Sequence, residues 1–405
     1  MNPTEKILER FNNSMTPNYV PADMIPHRGE GSLVWDIEGR EYIDLTGGIA
    51  VLALGHNHPE IVAVLKDQAE KLWHVSNYFT TEPALVLAES LCQKTFAEKV
   101  FFANSGSEAN EAALKLARRY AFDQSGMEKN EIVSLHLSFH GRSLFTVSTG
   151  GQKKYSQGFG PLPPKIIHIP HDDEKQLRAT ISDTTCAVIL EPIMAESGVI
   201  DISFDFIQKI RELCDQHQSL LIFDEVQTGM GRTGSLFAYQ QMDLTPDILT
   251  VSKALGCGFP IGAMMTTTKI AKSLTPGSHG STFGGNPLAT AVAKKALDII
   301  SDPRLLEGVR HKRKLFEEGL TKINRLYPFF DEIRGMGLLI GCQLLKKYSG
   351  LAGDFVKKGL TEKVMLLGAG PDVIRFAPSL IIKDEQIKEG LARFEKVVKA
   401  LHEAT

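Results

Sequence analysis

Between about residue 85 and residue 290 the chain repeats one pattern, a short apolar run followed by a stretch with helical periodicity. KVFFAN, EIVSLHLSF, KIIHIP, CAVILEP, SLLIFDE and DILTVSK read as strands, and segments such as Glu108 to Tyr120 and Phe204 to His217 read as the helices between them. A strand that is apolar throughout must be covered on both faces. The alternation therefore predicts an α/β fold, a mainly parallel sheet with helices on either side. In open sheets of this kind ligands sit beyond the carboxyl ends of the strands, so polar residues that end an apolar run are where chemistry is to be sought.

The C-terminal part changes character. EIRGMGLLIGCQL and DVIRFAPSLII look like strands, and a last helix carries Ile387, Leu391, Phe394, Val398 and Leu401 at alternating four- and three-residue steps, which marks one buried face. A smaller α+β domain is expected there. Near the N-terminus SLVWDIEGREYIDLTGG resembles a hairpin turning at Glu38-Gly39 and is expected to pack on that smaller domain. The division expected is 1–58 for the N-terminal segment, 59–290 for the large domain and 291–405 for the small one, interwoven by packing because no long linker, repeat or low-complexity tract separates them.

Composition excludes some functions. A net charge of -3 with both signs mixed along the chain gives no argument for nucleic acid or an anionic membrane, so small molecules are the expected partners. MNPTEKILERFNNS lacks an apolar stretch of signal type and no later run approaches a membrane span, so a cytoplasmic protein is expected. Cys92, Cys186, Cys214, Cys257 and Cys342 are odd in number and without paired spacing, which points to reduced, mostly buried thiols. His56 and His58 in GHNHP invite a metal reading, but no acidic or cysteine third ligand follows at fitting spacing, and no metal is expected.

Four strand ends carry reactive residues. In KVFFANSGSEANEAALK the run Ser105-Gly106-Ser107-Glu108 has the S-x-x-E form of a capping box, and the free N–H groups and hydroxyls of that helix start could hold a phosphate, although for this motif alone an ordinary capped helix is the favoured explanation. In SLLIFDE the acid Asp224 ends a buried strand, where it needs a cationic partner such as a protonated ring nitrogen, or else caps the next helix. In DILTVSKALGCGFP, Lys253 ends a strand before a glycine-rich turn; a buried amine is costly unless it forms a Schiff base with an aldehyde, although most lysines simply reach water. In LHLSFHGRSLF, Phe139 could cover one face of a flat ring and Arg142 could grip a carboxylate, as could Arg375 in IRFAPSL; either arginine could also be a structural ion pair. Phosphate cradle, aromatic cover, buried acid and strand-end lysine together are the parts of a pyridoxal-phosphate (PLP) site. Gly229-Met230-Gly231-Arg232-Thr233-Gly234 matches G-x-G-x-x-G, but SLFAYQQM is a poor glycine-opened helix and no strand ending in an acid falls about 20 residues on, so a loop beside the site is expected.

The stretches NSGSEANEAALKLAR, SFHGRSLF, LIFDEVQTGMGRTG, SKALG and HGSTFGGNPLA resemble the class III (fold type I) aminotransferases, and the likeness runs from VWDIEGREYIDLTGGIAVLALGHNHP to RFAPSL. The resemblance is strongest to the members that act on N-acetylornithine and N-succinylornithine. It implies PLP as cofactor and a mainly parallel seven-stranded sheet. It implies Lys253 as the lysine that binds the cofactor's aldehyde, Asp224 on the pyridine nitrogen, Gln227 near the ring hydroxyl, Phe139 stacked on the ring, and Ser105, Gly106 and Ser107 at the phosphate, with His140, Glu191, Val226 and Ser281 also at the cofactor. Thr282 would reach the phosphate of the neighbouring subunit in a homodimer. Arg142, Arg375, Glu196, Ile49 and Asn77 would face the substrate, Glu196 pairing with Arg375 when no dicarboxylate is bound. Ile49 stands where ornithine aminotransferases carry a tyrosine on the free α-amine, and an apolar residue suits a capped amine. The expected reaction moves the terminal amine of N2-acetylornithine to 2-oxoglutarate. Succinylornithine, ornithine or another ω-amine, and an inactive scaffold, are the alternatives. EPIMAESGV, with Met194 and Ala195, and Cys257 in ALGCGFP depart from the family's usual EPIQGEGGV and glycine.

Overall fold

A computed structural model of the protein describes residues 2–404. Its centre is a seven-stranded sheet in the order Lys99–Ala103, Gly262–Thr266, Ile248–Val251, Leu220–Asp224, Thr185–Leu190, Glu131–Leu135, Ile166–Ile169. The strands run parallel except Gly262–Thr266, which is antiparallel to both neighbours. Every residue of Thr185–Leu190, Leu220–Asp224 and Ile248–Val251 is buried, because helices cover both faces. The apolar runs seen in the sequence thus become the strands, most with ends shifted by a residue or two, while EIVSLHLSF keeps only Glu131–Leu135.

Gly262–Thr266 escaped the sequence reading. A parallel return needs a crossover of a dozen or more residues, whereas only the turn from Ser252 to Ile261 precedes this strand, so the chain reverses and pairs antiparallel with the strand it has just left. The helix Gly106–Ser125 lies close on the sheet through Ala109, Ala112, Ala113 and Ala117, all fully buried, with Leu114 and Leu116 beside them. Phe204–Gln216 covers another part with Phe206, Ile207, Ile210 and Leu213.

A second sheet gathers Phe330–Arg334, Ile340–Leu344, Val373–Phe376 and Leu367–Gly368, all antiparallel. The last helix, Asp384–His402, packs Ile387, Leu391, Phe394 and Val398 inward, with Val397 buried as well. Phe330, Phe355 and Phe376 meet Phe394 at ring distances of 5.1–6.1 Å. The N-terminal strands Leu33–Asp36 and Glu41–Asp44 form the hairpin, Gly39 taking φ 79 in its turn, and Glu41–Asp44 pairs with Val364–Met365. Among the described residues no helix is long and apolar enough to cross a membrane.

Candidate active site

A cavity of about 260 Å3 opens at the carboxyl ends of the central strands. Its wall brings together Gly106, Ser107, Phe139, His140, Arg142, Glu191, Asp224, Val226, Gln227 and Lys253, residues drawn from five separate stretches of chain.

One wall is a helix start. Ser105 caps the helix Gly106–Ser125, its Oγ accepting from Glu108 N at 3.2 Å. The capping box expected from S-x-x-E is only half made, because the Glu108 carboxylate accepts from Asn104 N at 2.5 Å, one residue further out than the cap. Gly106 has to be glycine: a Cβ there would stand 2.9 Å from both methyls of Val226. The Ser107 hydroxyl accepts from Arg142 N and Ser143 N at 3.3 and 3.2 Å. Uncommitted N–H groups and the positive end of the helix dipole make this corner suited to an anion.

The acid sits opposite. Asp224 is the last residue of its strand and is 3% exposed. Its Oδ2 accepts from Asn110 Nδ2 at 2.7 Å and meets His140 Nδ1 at 2.8 Å, and its Oδ1 accepts from Val226 N at 3.0 Å. No helix follows, so the helix-capping alternative is gone. Asn110 is itself fixed by Thr250, whose hydroxyl donates to Asn110 Oδ1 at 2.6 Å. Asn110 and Thr250 were missed in the sequence; the available signal was an asparagine four residues past Gly106 on a helix face otherwise lined by alanine. His140 Nε2 is buried without a partner among the described residues. Glu191 accepts from Phe139 N at 2.9 Å and Ala195 N at 3.4 Å, holding the aromatic's loop in place. Burial, and next the charge of Asp224, push its carboxyl well above the usual range.

Lys253 lies two residues past its strand, not at the strand end itself, and opens a short 3-10 turn with φ 40. A lysine held in the left-handed region is strained, a cost the surrounding packing must carry. Burial lowers its amine to about 8, opposed by the charge of Glu196 and reinforced by that of Arg375. Gln227 links the cavity to that charged pair, since its Nε2 donates to Glu196 Oε1 at 2.9 Å. Arg375, 2% exposed in the strand Val373–Phe376, donates through Nη1 to Glu196 Oε1 at 2.7 Å and to Ala195 O at 3.2 Å, while its Nε has no partner among the described residues. Burial raises the Glu196 carboxyl, but Arg375 and then Lys253 outweigh it and hold the group below its ordinary value.

Other sequence candidates fall outside the cavity wall. Asn77 donates to Ser281 O at 2.9 Å, and Ser281 Oγ accepts from Asn104 Nδ2 at 3.0 Å, so Asn77 and the Ser281-Thr282 turn form one cluster beside the helix start. Ile49 sits in a left-handed turn, φ 64, with 41% of its surface exposed. Met194 is fully buried in the core, and Ala195 meets the site through its backbone, so neither departure puts a side chain into the cavity. Cys257 donates to Ala254 O, and burial pushes its thiol up to about 12, which makes it unreactive. The loop 229–234 opens no helix. Its Arg232 is buried and donates to Leu338 O and Pro378 O at 3.0 and 2.5 Å, tying the loop to the C-terminal strands. His56 pairs with Asp44 at 2.8 Å.

The donor set fits a flat heteroaromatic aldehyde carrying a phosphate. Gly106 leaves room for an anion against the helix start, Val226 and Phe139 offer apolar surface for a ring, Asp224 offers a fixed negative charge for a ring N–H, and Lys253 is an amine with a depressed pKa.

Comparison with known proteins finds matches over nearly the whole chain. The family profile described as Aminotransferase class-III matches residues 14–398. The chain is 56% identical to the acetylornithine aminotransferase of Shewanella oneidensis, with 97% of each chain covered. It is 58% identical to the succinylornithine transaminase/acetylornithine aminotransferase of Pseudomonas aeruginosa, with 96% of each covered. Among solved structures, N-acetylornithine aminotransferase from Stenotrophomonas maltophilia K279a superposes with a TM-score of 0.86 at 41% identity, covering 98% of this chain and all of that one. The ornithine aminotransferase of Toxoplasma gondii ME49 superposes with 0.95 at 31% identity, covering 100% and 97%.

Proposed function

The chain belongs to the class-III aminotransferases, and on that premise we propose that it moves the terminal amine of N2-acetylornithine to 2-oxoglutarate, giving N-acetylglutamate 5-semialdehyde and glutamate. Enzymes of this family work with PLP, which when bound supplies an aldehyde to hold the amine and a ring to accept electrons as the adjacent C–H bond breaks. The observation that carries the proposal is one cavity whose wall holds an amine, Lys253, and a buried carboxylate, Asp224, beside a helix start.

The chain's own groups divide the work. Gly106 and Ser107 would hold the phosphate with backbone N–H groups and a hydroxyl. Asp224, fastened by Asn110, Val226 N and His140, would keep the proton on the ring nitrogen. Phe139 and Val226 would confine the ring, and Gln227 would face its hydroxyl. Lys253 Nζ would hold the cofactor's aldehyde and, as a free amine, would take the proton from the substrate carbon that bears the amine, a role suited to an amine whose pKa burial lowers to about 8. Arg142 takes the α-carboxylate of the acylornithine. Arg375 takes the distal carboxylate of 2-oxoglutarate and is otherwise occupied by Glu196.

A second reading, N2-succinylornithine as amine donor, is favoured by the P. aeruginosa relative, whose name gives both activities. A homodimer in which Thr282 serves the neighbouring copy's cavity belongs to the proposal. It is supported by the position of Thr282 outside its own chain's cavity wall and by exposed aromatic surface at Tyr78, Phe79 and Phe283. The five free thiols support work in a reducing compartment, the cytoplasm.

The test mixes yellow holoenzyme with N-acetylornithine, N-succinylornithine or ornithine separately, following loss of the visible absorption and its return with 2-oxoglutarate. Rapid bleaching by an acylated ornithine supports the reading, and bleaching best by ornithine replaces the substrate. Lys253→Ala removes both the band and turnover; retained multiple turnover in that variant refutes the assignment of the lysine.

A further inference from the structure

Arg142 reaches the cavity from an exposed loop, and among the described residues no carboxylate pairs with it. What it does touch is aromatic. Its Cζ lies 3.9 Å from the ring centre of Tyr155 and 5.4 Å from that of Phe139, and the two rings meet edge to face at 5.6 Å and 83°. Tyr155 comes from the four-residue helix Lys153–Ser156, outside the cavity wall.

That helix is wired to the loop that carries Phe139 and Arg142. Leu137 N donates to Gly151 O at 3.2 Å, Gly151 N to Ser138 O at 3.1 Å, and Gln152 Nε2 to Leu137 O at 2.9 Å. The approach is so close that a Cβ on Gly151 would stand 2.3 Å from Leu135 O. The position of the Tyr155 ring relative to Arg142 is therefore a built feature of the backbone and not the chance meeting of two surface side chains.

We propose that Tyr155 is a positioning residue which holds the Arg142 guanidinium at the cavity for the substrate's α-carboxylate, and so sets how strongly the enzyme prefers amine donors that carry that carboxylate. The inference rests on the reading of Arg142 given above. A guanidinium lying over a ring uses its face, which leaves the in-plane N–H fork free to grip a carboxylate by two parallel hydrogen bonds. An exposed arginine without such a shelf spreads over many rotamers and must be ordered anew at each binding event. The Lys154 ammonium, 4.6 Å from the same ring centre, adds positive charge at the entrance without offering a planar fork.

The experiment compares kcat/KM for N-acetylornithine with that for N-acetylputrescine, which has the same terminal amine and acyl group and lacks the carboxylate. In wild-type holoenzyme the ratio is high, and Arg142→Ala collapses it. Tyr155→Leu is expected to lower the ratio by about tenfold, mainly by raising KM for N-acetylornithine, and Tyr155→Met is the second variant should the leucine protein not yield holoenzyme. Tyr155→Phe and Tyr155→Trp keep an aromatic face and are expected to keep the ratio. In an Arg142→Ala background Tyr155→Leu should change the ratio no further. A structural role for Tyr155 lowers both substrates alike and leaves the ratio unmoved, which overturns the proposal, as does a phenylalanine variant that behaves like leucine. A wild-type enzyme indifferent to the carboxylate, or an Arg142→Ala variant with the wild-type ratio, overturns the underlying reading of Arg142, a failure visible without any Tyr155 variant.

Discussion

Arg375 and Arg142 stand at the same cavity in opposite surroundings. Arg375 is buried in a strand, its charge met by Glu196 at 2.7 Å; Arg142 is exposed on a loop and lies over the Tyr155 ring. The buried Arg375 guanidinium is met by the internal carboxylate of Glu196, so an incoming carboxylate has to displace that one to reach it. A solvated guanidinium has no such guard. On the proposed reaction the difference sorts the substrates: the donor's carboxylate finds an open site at any time, whereas the dicarboxylate acceptor has to replace Glu196.

Arg375→Ala gives the largest effect, because it removes the cation that Glu196, only partly exposed, is paired with. A loss of about 1–3 kcal/mol in unfolding free energy is expected, read by urea denaturation, together with failure of 2-oxoglutarate to restore the visible band. Arg142→Ala should leave stability within about 0.5 kcal/mol of wild type while removing about 1.5–3 kcal/mol of N-acetylornithine binding, read as kcat/KM. Equal losses of stability in the two variants would erase the contrast.

The smallest effect concerns Lys253, whose amine feels Arg375 and Glu196 together. Its pKa in the fold is lowered to about 8, below the roughly 10.4 of an unfolded lysine. Between those values the unfolded chain keeps a proton the folded apoenzyme has released, so this group makes stability rise with pH through the window, by at most about 1.4 kcal/mol per unit, and the gain is absent below it. Apoenzyme unfolding at pH 8 and pH 9.5, compared with Lys253→Met, should show a wild-type stability that climbs relative to the variant. A constant difference would mean that the amine is not perturbed by its surroundings.

Legibility differed across the molecule for the same reason that the two arginines differ. The Thr185–Leu190 and Leu220–Asp224 strands could be read directly, because burial on both faces demands uninterrupted apolar runs. Gly262–Thr266 could not, since its direction depends on the length of the preceding turn. Asp224 and Lys253 stood out as ionisable residues at the ends of apolar runs. Asn110 and Thr250, which fasten the acid, did not, because a polar residue on a helix and another on a strand gain meaning only when they meet. Tyr155 carried no local signal at all.

The amino-acid sequence alone determined the α/β class and the residue types that ended its strands, because periodicity and the cost of burying charge act over a few neighbouring residues. The tertiary structure decided which of those residues share a cavity. It set Gln227 on Glu196, Glu196 on Arg375 and Tyr155 under Arg142, contacts between separate loops and strands. Their distances follow from how the sheet and its loops pack, and not from spacing along the chain.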